Sequence, residues 1–195
     1  PDLDLHCQRV VRSAEKMLMK PQLSADEIQA LCLEAVSRFP AGSELYIKPM
    51  FYCADGFLLP DADKTQFVLH VFKVPMPGTQ GFSACFSSYV RSWPNMAPTD
   101  AKASCLYPNG QRAITEAAAK GFDNAIMLDG AGHVAEFASS NFWLAKDGKV
   151  VTPVDNGTFL NGITRKRVLA LLRADGVEVE ERSIPRADVE QADEV

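Results

Sequence analysis

Residues 156–165 read Asn156-Gly157-Thr158-Phe159-Leu160-Asn161-Gly162-Ile163-Thr164-Arg165 and run into an amphipathic helix predicted over Thr164 to Ala174, closed by Gly176. Gly162 lets backbone approach an anion closely. The N–H groups of Ile163 and Thr164 would point outward at the helix start, where the helix dipole adds partial positive charge. Taken alone, a plain Gly-Thr helix start with no ligand is the simpler reading, so the stretch has to be weighed with its surroundings.

Working outward, Val177 to Ile184 reads as a strand after the helix. Before the stretch, Asn141 to Ala145 and Val150 to Thr152 read as a hairpin around Asp147-Gly148. Ala125 to Leu128 and His133 to Phe137 form another around Asp129-Gly130. Gln111 to Lys120 reads as a helix ended by Gly121, and Phe82 to Tyr89 as a strand. Pro75-Met76-Pro77-Gly78-Thr79-Gln80-Gly81 has the composition of a linker.

Upstream, residues 3–20 carry Val10, Val11, Ala14, Met17 and Leu18 at helical spacing. Ser24-Ala25-Asp26-Glu27 is a capping-box pattern opening a second helix, with Ile28, Leu31, Cys32 and Val36 as its buried stripe. Glu44 to Cys53 and Gln66 to Val74 read as strands. The expectation is an α+β chain of two domains: a small one over residues 1–76, a linker over 77–82 and a larger strand-rich one over 83–195.

The 195 residues are 47% hydrophobic and 23% charged, ordinary for a globular protein. A net charge of −5 disfavours a broad nucleic-acid surface. No apolar run approaches the roughly 20 residues of a membrane-spanning helix, and no signal peptide is recognised at the start. Cys7, Cys32, Cys53, Cys85 and Cys105 are odd in number and lack C-x-x-C spacing. That favours buried, reduced thiols in a cytoplasmic protein over a zinc site or a disulfide framework. His6, His70 and His133 have no metal spacing, so no metal is expected.

Three other positions invite chemistry. Lys102 lies between Ala97-Pro98-Thr99-Asp100 and Ala103-Ser104-Cys105-Leu106-Tyr107, among small or apolar neighbours. Burial there would make its neutral amine available, although a surface lysine is the common case. Glu136, in Val134-Ala135-Glu136-Phe137, is a carboxylate on an apolar strand. It is either an exposed edge residue or a buried one needing a cationic partner. Arg9 lies on the polar side of the first helix, solvated or available for a bidentate phosphate contact. Together these residues meet the needs of a pyridoxal-phosphate site, which requires a lysine, an acidic partner for the pyridine nitrogen and donors for the phosphate. Tyr107 could add a bond to the cofactor's phenolic oxygen.

In this order the motifs resemble the fold-type IV pyridoxal-phosphate enzymes, the class IV aminotransferases, and in particular the branched-chain aminotransferases. The matching stretches are His6-Cys7-Gln8-Arg9, Leu45-Tyr46-Ile47-Lys48-Pro49-Met50, Pro94-Asn95-Met96-Ala97-Pro98-Thr99-Asp100-Ala101-Lys102-Ala103, Ala135-Glu136-Phe137-Ala138-Ser139-Ser140-Asn141, Leu160-Asn161-Gly162-Ile163-Thr164-Arg165 and Ala192-Asp193-Glu194-Val195. The resemblance implies pyridoxal 5'-phosphate as cofactor, bound through a Lys102 aldimine, with Lys102 also the proton shuttle. It implies Tyr107 on O3′, Glu136 on the pyridine nitrogen, and Arg9, Ile163 and Thr164 on the phosphate, with Tyr46 and Lys48 lining the substrate pocket. It further implies a homodimer moving an amino group from a branched-chain or other apolar amino acid to 2-oxoglutarate. D-amino acid transaminases, amine transaminases and aminodeoxychorismate lyases share the pattern, and a non-catalytic α+β protein is the remaining alternative. The family's flanking Tyr-Gly…Phe-Glu-Gly and Gly-Thr-rich stretches have no counterpart here, so segments are expected to be missing at both ends. Lys48 stands where branched-chain enzymes often have Arg.

Overall fold

The computed structural model describes residues 2–76 and 78–195, which divide into two compact units, Pro1–Gln80 and Gly81–Val195. Pro77, in the expected linker, lies outside the described residues.

The first unit contains α1 (Leu3–Lys16), α2 (Ala25–Ser37), β1 (Leu45–Cys53) and β2 (Thr65–Lys73). Helix α1 stops short of the predicted residue 20 because Leu18 takes a left-handed φ of 61° and is 72% exposed. Ser24 caps α2 with the full capping box: its side chain accepts from the Glu27 N–H and the Glu27 carboxylate accepts from the Ser24 N–H. Strands β1 and β2 pair antiparallel over their full length, Leu45 opposite Lys73. Period-two alternation sends Ile47, Phe51, Phe67 and Leu69 against Cys7, Ile28 and Cys32, the fully buried centre of the unit. Leu31 of the expected α2 stripe is exposed instead.

The second unit has β3 (Ala84–Phe86), α3 (Tyr107–Ala119), β4 (Asn124–Leu128), β5 (Val134–Phe137), β6 (Leu144–Lys146), β7 (Lys149–Pro153), α4 (Ile163–Ala174), β8 (Val179–Arg182) and α5 (Arg186–Glu190). They form two three-stranded sheets, β3-β4-β5 and β6-β7-β8. In each sheet one pair is parallel, β3 with β4 and β7 with β8, and a helix makes the crossover that parallel pairing demands. The β6–β7 hairpin turns on Asp147 and Gly148, both at positive φ, the backbone that an Asp-Gly turn supplies. Phe137, Phe142, Leu144, Val151 and Ile184 form the larger core, and Ala113 and Ala117 of α3 pack on Ala125 and Met127 of β4.

Strand β3 is shorter than the predicted Phe82 to Tyr89. The Glu116 carboxylate accepts from the Ser87 hydroxyl at 2.7 Å and the Ser88 N–H at 2.9 Å, turning the chain out of the sheet. The Ser87 bond, the Lys120 ammonium at 2.9 Å and the Ser88 N–H together hold the Glu116 carboxyl down at about 2. All five cysteines are free thiols. Cys7 and Cys32 are buried, but Cys105 is exposed, against the expectation of burial. Burial, with Cys32 close by, pushes the Cys7 thiol up to about 11.

Candidate active site

The lysine segment and the 156–165 stretch are joined. Thr99, 2% exposed, donates its hydroxyl to the Gly157 carbonyl. Gly157 has a φ of +81°, and a Cβ there would meet Pro94 Cγ at 2.7 Å, so only glycine allows this approach. Lys102 is exposed, the surface alternative of its two readings, while Ala101 and Ala103 on either side are buried. Ala101 closes a turn by donating its N–H to the Pro98 carbonyl at 3.0 Å, and Ala103 is extended at φ −112° and ψ 145°. The apolar neighbours take the inward positions. Tyr107 is the first residue of α3 and is 45% exposed.

Glu136 is buried on β5 at 9% exposure, although β5 is a sheet edge. Its Oε1 lies 3.1 Å from Arg91 Nη2, and both side chains are shielded from water. Its Oε2 has a longer contact, 3.4 Å, from Asn141 Nδ2. Burial raises the Glu136 carboxyl from 4.5 to about 7, while the charges of Arg91 and Lys102 pull the other way. The Lys102 charge therefore acts on Glu136. Sequence reasoning missed Arg91, whose only signal was an arginine between apolar and aromatic neighbours in Tyr89-Val90-Arg91-Ser92-Trp93.

A pH dependence follows from Glu136. A carboxyl raised on folding binds its proton more tightly in the folded state. Its stabilising contribution is thus fully present below about 4.5 and is lost as pH climbs through about 7. In the ligand-free protein, the stability of Glu136→Gln relative to wild type should rise by roughly 3 kcal/mol across that window. Urea unfolding at intervals from pH 4.5 to 7.5 reads the difference. A flat difference would mean that the buried carboxylate ionises without cost.

Helix α4 opens at Gly162 without a side-chain cap. Its first-turn N–H groups have no intrahelical acceptors, and the dipole makes this end attractive to an anion. A Cβ on Gly162 would fall 2.3 Å from Asn141 Oδ1. Asn141 Nδ2 meanwhile donates to the Leu160 carbonyl at 2.9 Å, so one side chain holds the helix approach and touches Glu136. Ile163 is buried and Thr164 exposed. The loop before them is held from the other side: buried Asp129 accepts from Asn156 Nδ2 at 2.9 Å, and Asn156 Oδ1 accepts from the Thr158 N–H and hydroxyl. Of the site residues expected from sequence, this unit thus links Lys102 to Glu136 by charge, and Glu136 to the Ile163–Thr164 helix start through Asn141.

The other three candidates belong to the first unit. Arg9 is half-buried on α1, its Nη2 3.1 Å from His6 Nδ1. Tyr46 and Lys48 are exposed on the face of β1 opposite the core, with Phe72 and His70 as their cross-strand partners. Among the described residues no helix is long and apolar enough to cross a membrane, and no three His, Cys, Asp or Glu side chains could hold a metal ion.

Residues 1–195 match the family model for amino-transferase class IV. The chain is 34% identical over 195 residues to a probable branched-chain-amino-acid aminotransferase of Aquifex aeolicus, covering 97% of this chain and 63% of that one. It is 35% identical to the branched-chain-amino-acid aminotransferase of Pseudomonas aeruginosa, covering 98% and 64%. Among solved structures, an aminotransferase from Brucella abortus bound to the co-factor PLP superposes with a TM-score of 0.96 at 44% identity, over 99% of this chain and 70% of that one. The Escherichia coli branched-chain amino acid aminotransferase gives 0.91 at 30% identity, over 98% and 65%. The chain spans just under two thirds of the length of the curated relatives it matches.

Proposed function

From the premise that this chain belongs to the class IV aminotransferase family, we propose that the protein is a pyridoxal-phosphate-dependent aminotransferase. Its reaction moves the amino group of a branched-chain or other apolar amino acid to 2-oxoglutarate, with Lys102 as the cofactor lysine. The observation that carries this reading is the buried Glu136 carboxylate, joined through Asn141 to the approach of an uncapped, glycine-started helix whose loop Thr99 fastens to the lysine segment. The names of the relatives support the substrate class.

The residues fit the cofactor. Glu136 is a buried carboxylate whose cost of ionisation a protonated ring nitrogen would relieve. The uncapped first turn of α4 suits a phosphate. When bound, the cofactor supplies an electron sink for the substrate's α-carbon. Glu136 keeps the proton on the ring nitrogen. Lys102 takes the proton from the α-carbon and returns it on the cofactor side, as a general acid–base. Tyr107 donates to the phenolic oxygen. Arg9, the N–H groups of Ile163 and Thr164, and the Thr164 hydroxyl bind phosphate, while Tyr46 and Lys48 contact substrate. The working form we assign is a homodimer in the cytoplasm.

The test is the visible spectrum of the full-length protein, supplied with pyridoxal phosphate and titrated with L-leucine. A near-violet band that bleaches as the amine form of the cofactor accumulates is the expected result. No band at all removes the cofactor reading. A band indifferent to L-leucine but responsive to D-alanine or a chiral amine moves the substrate assignment, and pyruvate release from aminodeoxychorismate marks a lyase.

A further inference from the structure

Arg91 is the buried charge nearest Glu136 that none of the roles above uses. It lies just after β3, where its backbone N–H bonds the Leu128 carbonyl of β4 at 2.8 Å. Its side chain is 9% exposed. The guanidinium reaches two ways: Nη2 to Glu136 Oε1 at 3.1 Å, and Nε to the Thr158 carbonyl at 3.3 Å. Thr158 belongs to the loop that Thr99 fastens to the lysine segment, at Gly157, and that Asn141 fastens to Glu136, at Leu160. One guanidinium thus spans the carboxylate and the loop that leads to α4.

We propose that Arg91 is a positioning residue: it fixes Glu136 through Oε1, leaves Oε2 to the cofactor's ring nitrogen, and sets that carboxylate in register with the phosphate-binding helix start. The division of oxygens follows from the contacts: Arg91 holds Oε1 at 3.1 Å, whereas the Asn141 amide lies 3.4 Å from Oε2 and makes its shorter bond to Leu160. The charged groups acting on Glu136 are Arg91, from the segment after β3, and Lys102, from the segment before α3. They are not equivalent. Lys102 must give up its charge whenever its amine serves as nucleophile or base, whereas a guanidinium stays protonated at every working pH. Arg91 is therefore the permanent countercharge that keeps Glu136 available as a carboxylate.

This inference rests on the pyridoxal-phosphate reading, and its experiment separates the two. The affinity of the full-length protein for pyridoxal phosphate is measured by absorbance against pH, for wild type, Arg91→Met, Arg91→Lys, Glu136→Gln and the Arg91→Met/Glu136→Gln double variant. Failure of wild type to bind overturns the cofactor reading itself. With binding established, Arg91→Met is expected to weaken affinity about tenfold or more at pH 7.5. It should also shift the acid limb of cofactor retention upward by about one pH unit, which is a tenfold change in proton affinity. In the Glu136→Gln background the same substitution should change affinity less than about twofold, because its effect runs through the carboxylate. Arg91→Lys keeps the charge and should restore the acid limb, which provides the reading if the methionine variant does not fold. Losses that multiply in the double variant, or a lysine variant whose acid limb shifts as far as that of methionine, would overturn the proposal in favour of a purely structural arginine.

Discussion

Lys102→Ala is expected to lower turnover with L-leucine by roughly three to four orders of magnitude, the scale on which a positioned acid–base group accelerates proton transfer. The loss should fall on kcat, because the α-carbon proton loses its acceptor while the groups assigned to phosphate and ring nitrogen remain. The side chain is exposed and its segment is anchored by neighbours, Ala101 and Ala103 by burial and Thr99 by its bond to Gly157. The fold should therefore change in stability by no more than about 0.5 kcal/mol, as at other surface positions. Removing one of the two cations that oppose the burial of Glu136 moves that carboxyl further up. The variant should consequently release pyridoxal phosphate at a higher pH than wild type does. Single-turnover absorbance with L-leucine, beside a thermal melt of the same sample, separates these effects. Retained transamination in a folded Lys102→Ala protein would remove Lys102 from the reaction.

What the sequence made legible was mostly local. The capping box at Ser24 and Glu27, the Asp147-Gly148 turn and the helix stop at Gly121 each depend on residues within one turn of each other, and each stands as read. One failure came where a distant group intervened. Phe82 to Tyr89 has strand composition, yet Glu116, 29 residues beyond Ser87, takes that segment's polar groups and ends β3 early. Leu18 fits the helical spacing, but its backbone turns left-handed and the side chain faces water. Lys102, among small and apolar neighbours, was open to burial or to the surface, and it is exposed. Those neighbours occupy the inward positions and leave the lysine the outward one. Arg91 was invisible for the same reason as the β3 end. Its meaning lies in Glu136 on another strand and in Thr158, 67 residues away, and neither pattern nor propensity signals such a pair.

Arg165 gives the largest stability effect to be expected in the second unit. As part of Gly162-Ile163-Thr164-Arg165 it sits where a basic side chain could be taken for a phosphate ligand. Its guanidinium is instead 1% exposed and committed to protein acceptors. Nε donates to Thr152 Oγ1 at 3.3 Å and Nη1 to Asn161 Oδ1 at 3.0 Å, while Nη2 donates to the Pro153 carbonyl at 2.8 Å and to Glu181 at 2.9 Å. The fork therefore ties the end of β7, the loop before α4 and strand β8 into one piece. Arg165→Ala leaves the Pro153 carbonyl without this donor and opens space beside Phe159. Glu181 keeps a second partner in Arg173 at 2.8 Å, so its charge is not stranded. Glu181 is also 30% exposed, so the cost is that of the lost hydrogen-bonded fork and the orphaned Pro153 carbonyl, about 3 kcal/mol. Arg165→Met, which keeps most of the volume, should cost less, the difference reporting the cavity. Urea unfolding should show a lower midpoint with an unchanged slope, since the surface exposed on unfolding is the same. If the midpoint moved by less than the equivalent of 1 kcal/mol, the fork would not be what holds the loop. Because that loop delivers Gly162 to Asn141, the Arg165→Ala protein should also bind pyridoxal phosphate more weakly without any shift in the acid limb that Arg91 controls. A loss of affinity with an unmoved limb distinguishes loosening of the helix start from disturbance of the carboxylate.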